Sequence, residues 1–236
     1  MEDIYYYFNQ YNLSDIEKEE LATLIYPIFM HPEFQKRMTR EYMHHGTVTL
    51  GEHIIKDTIT TYILCRKKSN KRTINLDLAL KISMLHDLYT SPWQNSQEKT
   101  SFFHKHGFRH PIEACINATY WFPEYFKDIK SAEIIIDGII HHMFPLPVSS
   151  IKNNELDKME LNNFDNFVKL DKDIQCIIIK SVKRKRIANI SFSRSLYYEG
   201  RIMSKADKKV ALSEIKNLSS AMALLTGKNK KIKKGN

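Results

Sequence analysis

Turn-forming residues are scarce in this chain, with seven glycines and seven prolines spread over 236 residues. So few breakers leave little room for the many tight turns of a sandwich or barrel, and they favour long helices. Cysteine is rarer still. Cys65, Cys115 and Cys176 lie far apart with no C-x-x-C pair, which argues against a zinc ribbon or a dithiol redox motif. The three read as buried thiols in a reducing cytoplasm. Long apolar runs are missing as well. The densest, Ile134 to Ile140, is interrupted by Asp137 and is far too short to span a bilayer. The opening MEDIYYYFNQYNLSDIEKEE has neither a basic start nor an apolar stretch, so no secretory leader is expected from it. A cytoplasmic protein that does not enter membranes is the expectation.

Hydrophobic residues at 42% are too many for a disordered chain and point to a packed core. The net charge of +9 is uneven: residues 151–236 carry 20 Lys+Arg against 9 Asp+Glu, whereas residues 1–150 carry 16 against 18. Such a surplus suits a polyanionic partner, but runs of lysine without interleaved aromatics more often form a solvated face. Weak, non-specific nucleic-acid binding is the most this surplus predicts.

Periodicity places the helices. Ser14 and Glu17 form an S-x-x-E box that opens a helix to about Tyr26, which Pro27 and His31-Pro32 then break. A helix from about Leu50 to Arg66 carries Ile54, Ile55, Ile59, Tyr62 and Ile63 as an apolar stripe, and the next runs from about Leu76 to Asp87. Residues 89–107 turn polar and read as a long loop able to cover something. Pro111 reads as a first-turn proline with His110 as the N-cap before it. Further helices are predicted over Ala132–His142, Asp173–Ala188 and Ala206–Leu225, with a loop and a short helix at residues 149–166.

Ten histidines are present, and four successive predicted helices each carry imidazole on a face or at an end. His53 lies on the first, His86-Asp87 closes the second, His110 opens the third, and His141-His142 ends the fourth. A single histidine in such a place is more often a hydrogen-bonded core or surface group. The ordered set, with a carboxylate beside it, is what a divalent metal drawing ligands from several segments requires.

The stretches HPEFQKRM (31–38), HHGTVTLGEH (44–53), LHDLYTSPW (85–93), HGFRHPIEACINA (106–118) and HHMFPLP (141–147) together resemble the HD-domain superfamily of metal-dependent phosphohydrolases. Its pattern is H…HD…H…H(H)…D on consecutive helices. The resemblance implies an all-α HD-domain helical bundle over residues 1–190, with a core of about 31–148 plus a helix at 173–188. A basic helical extension at 191–225 and a disordered basic tail at 226–236 would follow. It implies His53, His86 and Asp87 as ligands of a first metal. Asp87 would bridge to a second metal held by His110 and His142, with His141 as an extra ligand. One or two divalent transition metals (Mn, Fe, Zn, Ni or Co) would then serve a cytoplasmic hydrolase of a phosphorylated small molecule, a nucleotide above all. Arg109 would hold a substrate phosphate, and Trp93, Trp121 and Phe122 read either as base-stacking groups or as core.

One departure stands out. The best match to the helix bearing the family's final Asp is CIIIKSVKRK (176–185), which puts Lys183 at that place. An ammonium about 4 Å from a dication, at an effective dielectric near 20, costs roughly 8 kcal/mol. Either Lys183 replaces the first metal by pairing with Asp87, or another carboxylate such as Asp171 or Asp173 supplies the ligand. The expectation is therefore a hydrolase with a divergent metal site, the alternative being a catalytically silent HD fold that binds a nucleotide or nucleic acid.

Overall fold

A computed structural model describes residues 2–45, 47–68, 73–90, 106–149, 151–152, 155–156, 161, 163–187 and 190–225. The predicted loop at 89–107 and Trp93 lie largely or wholly outside these residues, as does the tail at 226–236.

The chain is mostly helical. In order come α1 (Glu2–Phe8), α2 (Asp15–Phe29), α3 (Pro32–Arg37), the hairpin β1 (Met43–His45) and β2 (Val48–Thr49), α4 (Leu50–Lys68) and α5 (Leu76–Leu85). Then follow α6 (His106–Trp121), a 3-10 turn at Pro123–Phe126 and α7 (Ile129–Ile140). Short strands β3 (Val148–Ser149), β4 (Ile151–Lys152) and β5 (Glu155–Leu156) precede α8 (Phe164–Lys169) and α9 (Lys172–Lys183). β6 (Arg186–Ile187), β7 (Ile190–Ser191) and the long α10 (Tyr198–Leu225) complete the chain. The strands form only antiparallel scraps, ordered β1-β2, β3-β7-β6 and β4-β5. Among the described residues no helix is long and apolar enough to cross a membrane.

Caps written in the sequence start these helices. Ser14 and Glu17 satisfy each other's backbone amides at α2, and Thr49 and Glu52 do the same at α4. Asn75, Asp128 and Asp171 cap α5, α7 and α9 through their side chains. Two prolines behave otherwise than predicted. Pro27 sits inside α2, which runs on to Phe29, and Pro111 lies inside α6, which begins at His106. Near a helix end a proline forfeits one backbone hydrogen bond, which apolar packing of the following turn can offset; Ile28 and Phe29 are both buried.

The core lies where α4, α5, α7 and α10 meet. Of the stripe predicted on α4, Ile54, Ile55, Ile59 and Tyr62 are buried and Ile63 is half-buried; Thr58, Thr60 and Thr61 on its flank are buried too, so this helix is enclosed nearly all round. The Thr58 hydroxyl donates to the Ile54 carbonyl at 2.8 Å and so carries no unpaired polar atom into the core. α10 is not the appendage predicted for residues 191–225. It packs lengthwise on α4, α5 and α7, with Ile202, Met203, Ala206 and Val210 buried. Gly200 permits the approach to α7, where a Cβ would come within 2.7 Å of the Gly138 Cα, and Gly138 permits that of α7 to α5, where a Cβ would strike Ile82 at 2.7 Å. On α9 the buried face is Ile174, Ile178, Ser181 and Val182, which leaves Cys176 exposed, contrary to the expectation of three buried thiols.

Candidate metal centre

His53 and Asp57 stand one turn apart on α4, so both side chains reach the same side of the helix. His86 is the C-cap of α5, and the chain leaves the helix there, letting His86 and Asp87 turn to one space. The turn beyond Asp87 is clamped from two sides. Arg37 Nη2 donates to the Tyr89 carbonyl at 2.8 Å, and Asn117 Nδ2 donates to the Leu88 carbonyl at 2.7 Å. α6 brings His110, the C-terminal end of α7 brings His142, and α10 brings Asp207 and Glu214, seven residues or two turns apart. All of these side chains are buried.

The ring nitrogens have defined roles. Nδ1 of His86 lies 2.7 Å from the Ser83 carbonyl, and Nδ1 of His142 lies 2.7 Å from the Ile139 carbonyl. A carbonyl can only accept, so each Nδ1 carries the proton and each Nε2 presents a lone pair. His53 Nδ1 likewise donates to Glu214 Oε2 at 3.0 Å, and Glu214 is held in turn by Lys56 at 3.1 Å. The His44 ring stacks on His53 at 3.7 Å between centroids, and its Nδ1 lies 3.4 Å from the same Glu214 oxygen. This is the outer-shell arrangement that fixes the tautomer and direction of a ligand imidazole.

The inward-facing atoms form two adjoining sets. His53 Nε2 is 3.1 Å from Asp57 Oδ2 and 3.7 Å from Asp207 Oδ1, while His86 Nε2 is 3.5 Å from Asp57 and 3.6 Å from Asp87 Oδ2. On the other side, Asp87 Oδ1 lies 3.3 Å from His110 Nε2 and 3.6 Å from His142 Nε2, and those two nitrogens are 3.1 Å apart. Despite this closeness His53 Nε2, His86 Nε2, both Asp57 oxygens and Asp87 Oδ1 form no hydrogen bond. Buried polar atoms are rarely left so. A tetrahedral ion with bonds of about 2.1 Å holds its ligands about 3.4 Å apart, so the spacing fits a divalent cation. Among the described residues three groups, His53–Asp57–His86–Asp207, His86–Asp87–His142 and His44–His53–Glu214, could each hold a metal ion.

Electrostatics agree with a site short of positive charge. Burial raises the Asp57 carboxyl to about 6, against the pull of His53. Burial disfavours a charge on His53, but the carboxylates of Asp57, Asp207 and Glu214 outweigh it and raise that imidazole well above its usual value. Burial also opposes ionisation of Asp87, yet His86, His110 and His142 hold its carboxyl well below the usual range. Burial and the neighbouring His86 push His142 down to about 3, so it remains a neutral donor.

The structure thus brings His53, His86, Asp87, His110 and His142 together and places three other groups of candidate residues elsewhere. Lys183 is not in the cluster. The buried α9 face packs on α7, Lys183 ends that helix, and the carboxylate beside His53 comes from Asp207. Nor do Asp171 and Asp173 reach it, since Asp171 caps α9 by accepting from the Asp173 amide at 2.8 Å. His141 points elsewhere: its ring contacts Ser181 and Ser193 beside the Asp137–Arg184 pair, and burial with the Arg184 charge lowers it to about 4. Arg109 is buried on α6 next to His110. Trp121 and Phe122 are core groups: the Arg37 guanidinium lies over the Trp121 ring at 4.8 Å, and Phe122 stacks on Tyr125.

Asp57, Asp207, Glu214, His44 and Lys56 escaped the sequence reading. The H-x-x-x-D spacing of His53 and Asp57 inside an apolar helix was a usable signal, because two polar groups on one buried face need a partner. Asp207 stands among lysines in SKADKKV and looks like part of a solvated face. No protein-family model, curated protein or solved structure matches this chain.

Proposed function

We propose that this chain is an HD-type, metal-dependent phosphohydrolase acting on a nucleotide or another small phosphoester. The observation that carries the reading is the pair of adjoining donor sets, with Asp87 between them and with His53 Nε2, His86 Nε2, both Asp57 oxygens and Asp87 Oδ1 buried without a hydrogen bond. His53, His86, Asp87 and Asp207 would hold one divalent ion, and Asp87, His110 and His142 a second. Bound there, such ions supply Lewis acidity toward phosphate oxygens and lower the pKa of water at neutral pH.

The chain's own residues prepare that chemistry. Glu214, Ser83 and Ile139 accept hydrogen bonds from Nδ1 of His53, His86 and His142, so that all three Nε2 atoms point inward. Arg37 and Asn117 hold the turn that carries Asp87. Lys208 donates to the His142 carbonyl at 3.0 Å and ties α10, with Asp207, to the end of α7. Such over-determined positions keep the ligands in place before a substrate arrives. Arg109, beside His110, would meet a substrate phosphate.

One ground for expecting a silent fold is a lysine in place of the last carboxylate, and Asp207 beside His53 argues against that ground. Protein purified without chelator or affinity nickel is expected to carry one to two equivalents of metal and to hydrolyse an aryl phosphate or a member of a nucleotide panel. Chelation should abolish that activity, and manganese, iron, zinc, nickel or cobalt should restore it. Less than a tenth of an equivalent after metal addition would overturn the reading. Full loading without turnover on the whole panel would favour the alternative, a nucleotide-binding or regulatory HD fold.

A further inference from the structure

Asp57 has no place in the H…HD…H…H(H)…D pattern, yet no side chain in the cluster is more enclosed. It is 0% exposed, and neither of its oxygens has a hydrogen-bond partner. Leaving a buried carboxylate so is costly in a packed interior. Nε2 of His53 lies 3.1 Å from Asp57 Oδ2 and Nε2 of His86 lies 3.5 Å from it. The other ring nitrogen of His53 donates to Glu214. Donor atoms this close together without a hydrogen bond stand at the separation that ligands of one cation keep. Asp207 approaches Nε2 of His53 from α10, and the four ligand atoms all lie within 4.8 Å of one another.

We infer that Asp57 is a direct ligand of the first metal, adding a carboxylate to His53, His86, Asp87 and Asp207. This rests on the proposed metal-dependent reading and deepens it. Two imidazoles and three carboxylates make five protein donors, which leave one position of an octahedron for water or a phosphate oxygen. Such an oxygen-rich set suits Mn(II) or Fe(II) better than tetrahedral Zn(II). Three carboxylates also outweigh a single dication, so filling the first position draws a second ion to Asp87, His110 and His142.

The test uses the full chain stripped of metal and titrated with Mn(II) alone, followed by calorimetry and by the electron-spin signal of free Mn(II). Asp57→Asn keeps the volume and removes the charge. It should weaken the tighter Mn(II) site by about a hundredfold, no less than loss of an outer-shell partner costs, and shift the Mn(II)-to-Zn(II) preference toward zinc. Its metal-free melting temperature should stay within a few degrees of the parent's, as a ligand has little to hold when no ion is present. Asp57→Cys with Co(II) gives a second reading: a thiolate ligand produces a near-ultraviolet charge-transfer band that the parent protein lacks. Parent-like Mn(II) affinity in Asp57→Asn, or no such band in Asp57→Cys, overturns the assignment of Asp57 while the metal reading stands. A parent protein that binds no Mn(II), Fe(II), Co(II) or Zn(II) removes both.

Discussion

Two helices of this protein each carry a buried aspartate and histidine one turn apart, and the pairs have been completed in opposite ways. On α7, Asp137 receives the Arg184 guanidinium, the Ser195 hydroxyl at 2.6 Å and the Leu196 amide at 2.8 Å, while His141 meets Ser181 and Ser193. On α4, neither Asp57 oxygen has a hydrogen bond, and His53 spends one nitrogen on Glu214 and sets the other 3.1 Å from Asp57. The first pair is saturated and pins the segment at 184–196 to the end of α7. The second gathers donor atoms that could hold a metal ion. Residue type and spacing are nearly the same in the two; what differs is whether the neighbours supply positive charge and donors. Desolvation gives the reason, since a buried carboxylate persists only when protein or ligand answers it.

Removing a partner from each side should separate the two kinds of cluster. Asp207→Ala takes a ligand from the unsaturated one, so bound metal should fall by about one equivalent and phosphoester hydrolysis by about a hundredfold or more. Elemental analysis and aryl phosphate turnover measure both, and unchanged loading would contradict the placement of Asp207. Arg184→Met should do the reverse. It strands Asp137 and should cost about 3 kcal/mol in urea denaturation of the metal-free protein, with metal stoichiometry intact.

A subtler change sharpens the contrast. Glu214→Gln can still accept from His53 Nδ1 but lacks the charge that makes the ring a stronger donor. Metal affinity should drop roughly tenfold to a hundredfold, with full loading recovered at high metal concentration; calorimetric titration distinguishes this from loss of a site. The smallest effect belongs to Lys183→Asp. Were Lys183 standing in for the final ligand, that substitution would add a metal. With Asp207 already there, metal content and turnover should match the parent protein, and a gain of one equivalent would restore the sequence-based placement.

Much of the candidate metal centre could be read before folding. His53, His86, Asp87, His110 and His142 lie on or beside helices whose apolar periodicity fixes which face is buried, and a polar group at such a place asks for a partner. α10 resisted reading for the opposite reason. Its buried residues Ile202, Met203, Ala206 and Val210 alternate with lysines, and an aspartate among them resembles an ordinary i,i+4 salt-bridging residue. Likewise the apolar run on α9 suggested the last ligand-bearing helix, whereas its buried face packs against α7.

The sequence by itself determined a mostly helical chain, the caps of α2 and the histidine-bearing helix ends, because these depend on short-range spacing and backbone hydrogen bonding. Only the tertiary structure decided which carboxylates join the histidines. That choice depends on α10 crossing α7 where Gly200 meets Gly138, since a side chain on Gly200 would strike the Gly138 backbone. Two turns farther along, Asp207 arrives beside His53, and after two more turns Glu214 reaches that ring's other nitrogen. No local pattern encodes an approach between residues 154 and 161 positions apart in the chain; close packing of helix on helix does.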